Sequence, residues 1–78
     1  MVEFLWIDWN IQKIDNHALS TDEVEHAWLN GNDVRKKSHS NGTCWERIGK
    51  CPSGRIIRMV WRWNEEDGEQ KVFVITAY

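Results

Sequence analysis

Apolar and polar positions keep a helical period in the first part of the chain and a strand period after it. Val24, Ala27 and Trp28 fall at i, i+3, i+4, and Ile11, Ile14 and Ala18 at i, i+3, i+7, which predicts two short amphipathic helices. The second has a defined start. Ser20-Thr21-Asp22-Glu23 fits a capping box with Ser20 as N-cap and Glu23 at N3, and Leu19 and Val24 occupy the positions of a hydrophobic staple. Asp22, Glu23 and Glu25 suit the positive end of the helix dipole, and Asn30-Gly31-Asn32 provides an αL-tolerant stop. The first helix opens with Asp8 as its cap and turns Gln12, Lys13, Asp15 and Asn16 outward. His17 lies beside Ile14 at the break between the two.

Val2 to Ile7 is nearly all apolar and reads as a first strand, central or covered on both faces. After the helices, Asp33 to Lys37 reads as a short polar edge strand, and Asn41-Gly42 as a hairpin turn. Thr43 to Lys50 is a strand, Cys51 to Gly54 a turn, and Arg55 to Trp63 the longest strand. Alternation puts Ile57, Met59, Trp61 and Trp63 on one face of it and Ile56, Arg58, Val60 and Arg62 on the other; the first set is the expected helix-covered core. Asn64 to Glu69 reads as an acidic hairpin loop and Gln70 to Tyr78 as a last strand. The expected architecture is α+β in the order β-α-α-β-β-β-β, with two N-terminal helices packed on one face of an antiparallel-rich sheet of four to five strands, as a single domain over residues 1–78.

A chain of 78 residues buries a small core, and its six tryptophans are much of the apolar supply. Each buried indole also needs a partner for its N–H. The net charge of −2 hides segregation: residues 1–33 carry seven acids and one base, residues 34–62 eight bases and one acid, and residues 63–78 four acids and one base. A basic middle between acidic flanks suits a polyanion partner, or internal pairing of the two signs. With no long apolar run and no basic-then-apolar leader, a soluble cytoplasmic protein without membrane contact is expected. Cys44 and Cys51 are then expected to be reduced. An extended segment between them separates the sulfurs by roughly 20 Å, too far for a bridge. His39, Cys44 and Cys51 lack the close spacing of a metal site, so no metal or cofactor is expected.

No P-loop, nucleophile elbow, HExxH or CxxC is present. His17, His26 and His39 lie on separate elements, with His26 expected at the surface. The arginines carry more information. Arg58 and Arg62 share a strand face that the helices need not cover, and Arg55 leads into that strand; arginines beside exposed aromatics grip phosphates and stack on bases. Pairing with Glu46 or the acidic loop is the alternative.

The stretches FLWIDWN, NIQKIDNHALSTDEVEHAW, RIG, PSGRIIRMVW and VFVITA resemble the BrnT-type toxins, small ribonucleases of bacterial type II toxin–antitoxin pairs with a RelE-like fold. Asn10, His17, Glu23 and Val24 match the family's helical motif. Trp6 and Trp9 lie where members carry aromatic or acidic residues, Gly49 matches the I-G strand, and Gly54-Arg55 matches the G-R that opens the next. Departures are Cys44 before Trp45 in place of an arginine, Ala18 in place of a glycine, and Tyr78 after Ala77 where members have arginine and continue into a C-terminal helix. The resemblance implies metal-independent cleavage in which the 2′-hydroxyl attacks its own phosphate, with His17 as acid/base and Arg55 and Arg58 as charge stabilisers. Arg35, Lys36, Lys37, Arg47, Arg62 and Trp45 are the expected RNA contacts, although alternation turns Arg47 to the face opposite Cys44.

Two functional readings follow: an RNA-cleaving toxin or degenerate relative held by a cognate antitoxin, or a non-catalytic binding domain on the same scaffold. The missing helix is expected to leave apolar sheet surface around Val72, Val74 and Tyr78, which implies a homodimer or a hetero-complex.

Overall fold

A computed structural model describes residues 2–39 and 42–78. Two helices, α1 (Asp8–Asp15) and α2 (Thr21–Asn30), precede four strands, β1 (Asn32–His39), β2 (Gly42–Lys50), β3 (Ile56–Glu66) and β4 (Glu69–Ala77). The strands form one antiparallel sheet in the order β1-β2-β3-β4. This is the expected α+β class. The Asn41 half of the expected Asn41-Gly42 turn lies outside the described residues.

Helix α2 forms as its sequence dictates. Ser20 Oγ accepts from the Glu23 N–H at 3.2 Å, and Glu23 Oε1 accepts from the Ser20 N–H at 3.0 Å. Leu19, Val24, Ala27 and Trp28 are buried in the core. Its far end differs from expectation: Gly31 is extended (φ −89°, ψ 177°), so the residue is needed for space. A Cβ there would stand 2.5 Å from the Ile48 carbonyl oxygen. Asn30 then ties the helix to the sheet, donating to the Lys50 carbonyl at 2.8 Å and accepting from the Lys50 N–H at 3.0 Å. One strand position back, a Cβ on Gly49 would run into the backbone of Ala27. The helix therefore rests on β2 backbone to backbone.

Helix α1 lies along β4 through Asn10 and Ile14, which are i and i+4 on one line and both buried. The cap is not Asp8. Ile7 occupies the N-cap position, and its N–H donates to Asn10 Oδ1 at 2.7 Å. The Asn10 amide donates to the carbonyls of Leu5 (3.0 Å) and Val74 (3.2 Å). That line of contact leaves Ile11 exposed. Ala18 is not in the buried stripe either: the helix stops at Asp15, and Ala18 is exposed with φ 58°.

The N-terminal segment is not a central strand. Phe4 makes one parallel bridge with Val72, and Leu5 and Glu3 exchange backbone hydrogen bonds with Val72 at 2.8 Å each. It lies on the outer side of β4, where Val2, Phe4 and Trp6 pack against the core and Glu3 stays exposed. Only alternate residues face inward, so an almost wholly apolar run serves an edge. The acidic loop is also shorter than expected. Asp67 (φ 53°) and Gly68 (φ 80°) form a two-residue turn with both central residues at positive φ, the type I′ signature, and Asn64 to Glu66 continue β3.

The core joins Ile14, Leu19, Val24, Ala27 and Trp28 of the helical layer to Ile57, Met59, Trp61, Val72, Val74 and Ala77 of the sheet. Val72 and Val74 thus lie beneath the helices, which corrects the expected apolar exposure there; only Tyr78 of that group is exposed. Trp63 runs beyond the helical cover and packs edge-on against Trp61 at 5.1 Å. Two indoles find acidic partners, Trp6 on Glu25 (2.8 Å) and Trp61 on Asp33 (2.9 Å). The Trp28 indole nitrogen is buried without a hydrogen-bond partner among the described residues, a cost of about 1–3 kcal/mol. The cysteines are free and buried. Cys51 belongs to the core between helices and sheet, whereas Cys44 shares the opposite face with Glu46. Among the described residues no helix is long and apolar enough to cross a membrane.

Candidate nucleic-acid interface

The sheet face away from the helices carries much of the basic middle of the chain. Alternation on β3 turns Arg58 and Arg62 to this open face, opposite in direction to Ile57, Met59 and Trp61. Register adds Glu46 and Ile48 from β2, and Arg35 and Lys37 from β1. A bulge on β1 lets Asp33 and Arg35 face Arg47 and Glu46, consecutive residues of β2, so Val34 is the unpaired residue. Tyr78 joins from the end of β4. Arg58 and Tyr78 exchange both backbone hydrogen bonds (2.8 and 2.9 Å), which puts their side chains on one face.

Glu46 is the centre of charge on this face. It is 5% exposed and receives Lys37 Nζ at 2.8 Å and Arg58 Nη1 at 2.9 Å. The Lys37 hydrogen bond, with help from Arg58, holds its carboxyl below the ordinary carboxylate value, against the opposing effect of burial. Arg62 is bound differently: Nη1 donates to Asn64 Oδ1 at 3.1 Å, and the guanidinium carbon lies 4.8 Å from the Phe73 ring centre.

At the end of the face stands the break between α1 and α2. Its chain reversal is closed by N–H donation from His17 and Leu19 to the Ile14 carbonyl and from Ala18 to the Asp15 carbonyl. The His17 ring lies 6.0 Å from the Tyr78 ring. Arg55, released from the Cys51–Gly54 turn by Gly54 at φ 95°, donates Nη1 to the His17 carbonyl oxygen at 3.0 Å. His17, Arg55 and Arg58 are therefore joined through Tyr78 and the His17 backbone, while the Arg58 guanidinium reaches away across the sheet to Glu46.

The other candidate contacts are placed elsewhere. Arg47 faces the helices, donates Nε to the Trp28 carbonyl at 2.7 Å, lies 4.1 Å above the Trp28 ring and pairs with Asp33 at 3.3 Å. It adds a second donor to the Trp28 carbonyl, which already accepts from the Gly31 N–H at 3.2 Å, and so helps close the end of α2, a structural task. Trp45 also faces the helical side, stacked on Trp61 at 5.0 Å, and Lys36 pairs opposite it. A shallow cleft of about 380 Å³ lies beside the C-terminal half of α2, lined by His26, Asn30, Lys50 and the Cys51–Gly54 turn. Burial pushes the Cys51 thiol up there. Among the described residues no group of three or more His, Cys, Asp or Glu is placed to hold a metal ion.

Tyr78, expected at the end of the last strand, in an apolar surface patch and as a departure from the family pattern, takes its place beside His17 because of a bulge in β4. Trp61 pairs with Val74 but Val60 with Thr76, so Ile75 is the extra residue. Comparison with protein-family models, with curated proteins and with solved structures returned no match.

Proposed function

We propose that this chain is an RNA-directed protein of BrnT-like type, a metal-independent endoribonuclease whose reacting centre is the His17, Arg55 and Arg58 cluster. One observation carries the reading: a histidine at a helix break, Arg55 bound to its carbonyl and a tyrosine beside its ring meet at one end of a sheet face that also presents Arg35, Lys37, Arg58 and Arg62. In the cleavage, the 2′-oxygen forms a bond to the adjacent phosphorus while the bond from phosphorus to the 5′-oxygen breaks. A base takes the 2′-hydroxyl proton and an acid protonates the leaving 5′-oxygen. An imidazole serves either step near neutral pH, which is the role given to His17. Arg55, held at the same backbone turn, supplies positive charge to the phosphorane. The Tyr78 ring positions the imidazole. In a toxin–antitoxin arrangement the partner is a small antitoxin protein.

A specific feature favours a second reading. Glu46 already neutralises Arg58, which suits a domain that binds RNA or protein without cutting. Purified protein incubated with total RNA in the presence of a chelator separates the two. Cleavage by the wild type, lost in His17→Ala and in Arg55→Ala with melting curves unchanged, supports the nuclease. RNA that is bound but left intact supports the binding domain. Protein that neither binds nor cuts RNA refutes the RNA reading altogether.

A further inference from the structure

Trp9 is half exposed (49%) in the first turn of α1. Its ring lies nearly parallel to that of Phe73, with centroids 6.0 Å apart and planes 9° from coplanar. Phe73 is buried and faces the open side of β4, opposite Arg62. A cation attends each ring: Lys13 Nζ lies 5.2 Å from the centre of Trp9, and the Arg62 guanidinium 4.8 Å from that of Phe73. Three elements, α1, β3 and β4, thus converge on one layered arrangement of two rings and two positive charges. Asn10 fixes it, because the two bonds from its amide anchor the first turn of α1 to β4 and to the segment before it.

We propose that the Trp9–Phe73 pair is a stacking platform for a base of single-stranded RNA, with Lys13 and Arg62 receiving the flanking phosphates. The proposal rests on the RNA reading above, though not on cleavage. Every base has a π-face, so an exposed indole backed by a second ring takes one without needing a sequence. The indole pays little ordering cost on binding, because Phe73 already holds its plane. Lys13 carries its charge on a flexible stem and can turn from the ring to a phosphate. Continuity with the reacting end supports the choice of ligand. Helix α1 carries the chain about 9 Å from residue 9 to residue 15, at 1.5 Å per residue, toward the break that bears His17, and Arg62 and Arg58 lie about 13 Å apart on one strand face. A single strand running beside β3 would pass from the platform over both arginines to His17. Ile7 and Ile11, exposed beside Trp9, would suit a protein partner instead, and the test includes that outcome.

The probe is a fluorescein-labelled single-stranded oligoribonucleotide with its 2′-hydroxyls methylated, so that binding is read without cleavage. Anisotropy titrations compare the wild type with Trp9→Ala and Trp9→Phe. Trp9→Ala is expected to weaken binding roughly 5- to 150-fold, Trp9→Phe to keep most of the affinity, and an abasic version of the probe to bind the wild type no better than it binds Trp9→Ala. Should Trp9→Ala fail to fold, Lys13→Gln takes its place; it is expected to weaken binding and flatten its salt dependence. Wild-type protein that binds the probe as tightly as Trp9→Ala does overturns the platform and leaves the RNA reading standing. Wild-type protein that does not bind at all removes both. If Trp9→Ala changes sedimentation but not RNA affinity, the patch is a protein interface and the proposal is wrong.

Discussion

Ala18 adopts φ 58° at the break between the helices, a left-handed conformation that glycine enters without cost. A residue with a Cβ gives up about 1–2 kcal/mol there. Replacing Ala18 by glycine removes that strain. It also enlarges the unfolded ensemble, which returns about 0.4–1 kcal/mol in the other direction. Ala18 is exposed, so its methyl contributes little packing to lose. The net expectation for Ala18→Gly is a gain of about 0.5–1 kcal/mol. For a domain of this size 1 kcal/mol moves the melting temperature by about 4–8 °C, so a rise of roughly 2–8 °C is predicted. Thermal and urea denaturation followed by circular dichroism measure it. The urea slope is expected to stay constant, since no surface burial changes. Ala18→Val should move the other way, because a β-branched side chain tolerates positive φ less well. A glycine variant that melts at or below the wild-type temperature would mean that Ala18 is not strained, and the account of the helix break would fail with it.

Two further outcomes follow from buried polar groups. Asn10→Ala removes the bonds to the carbonyls of Leu5 and Val74 and strips the Ile7 N–H of its acceptor, so a loss of about 2–3 kcal/mol is expected in urea unfolding; an unchanged midpoint would refute the anchoring role. Glu46 has a lowered pKa in the folded chain, first through Lys37 and then through Arg58. The stability it contributes is therefore present above its unfolded pKa and disappears as pH falls through the folded value. Glu46→Gln is expected to be less stable than wild type at neutral pH, with the gap closing as acid is added, and a gap that stays constant down the pH series would contradict this.

The start and buried face of α2 are the most legible part of the chain because their signals are local. A capping box needs four consecutive residues, and Val24, Ala27 and Trp28 declare a face within one and a half turns. The division of β3 into a core side with Ile57, Met59 and Trp61 and an open side with Arg58 and Arg62 was equally readable from period two. In α1 the cap and the Ile11 and Ala18 positions depart from expectation for local reasons; the larger failures depended on contacts distant in sequence. The Val2–Ile7 segment reads as a central strand by composition, yet Asn10 and the helix that follows confine it to one bridge at the edge of β4. Asn10 is singled out in the sequence only by the resemblance; its i+4 relation to Ile14 is the available sign that it faces inward. For the candidate site, the neighbourhood of His17 and Arg55 was suggested by resemblance, but the arrival of Tyr78 was not. Pairing counted from the Asp67-Gly68 turn without interruption would put Ala77 opposite Arg58. The bulge at Ile75 shifts the count by one residue, seats Ala77 in the core and turns Tyr78 toward His17. A single inserted position with no compositional mark decides which side chain completes the cluster.

The seating of α2 on Gly49 and Gly31 has a mechanical consequence. Helix and strand meet carbonyl against bare backbone, with no layer of side chains between them to deform, and Asn30 rivets the far end. The two elements must travel as one rigid plate. On the other side α1 meets β4 through side chains, the Asn10 amide and the buried Ile14.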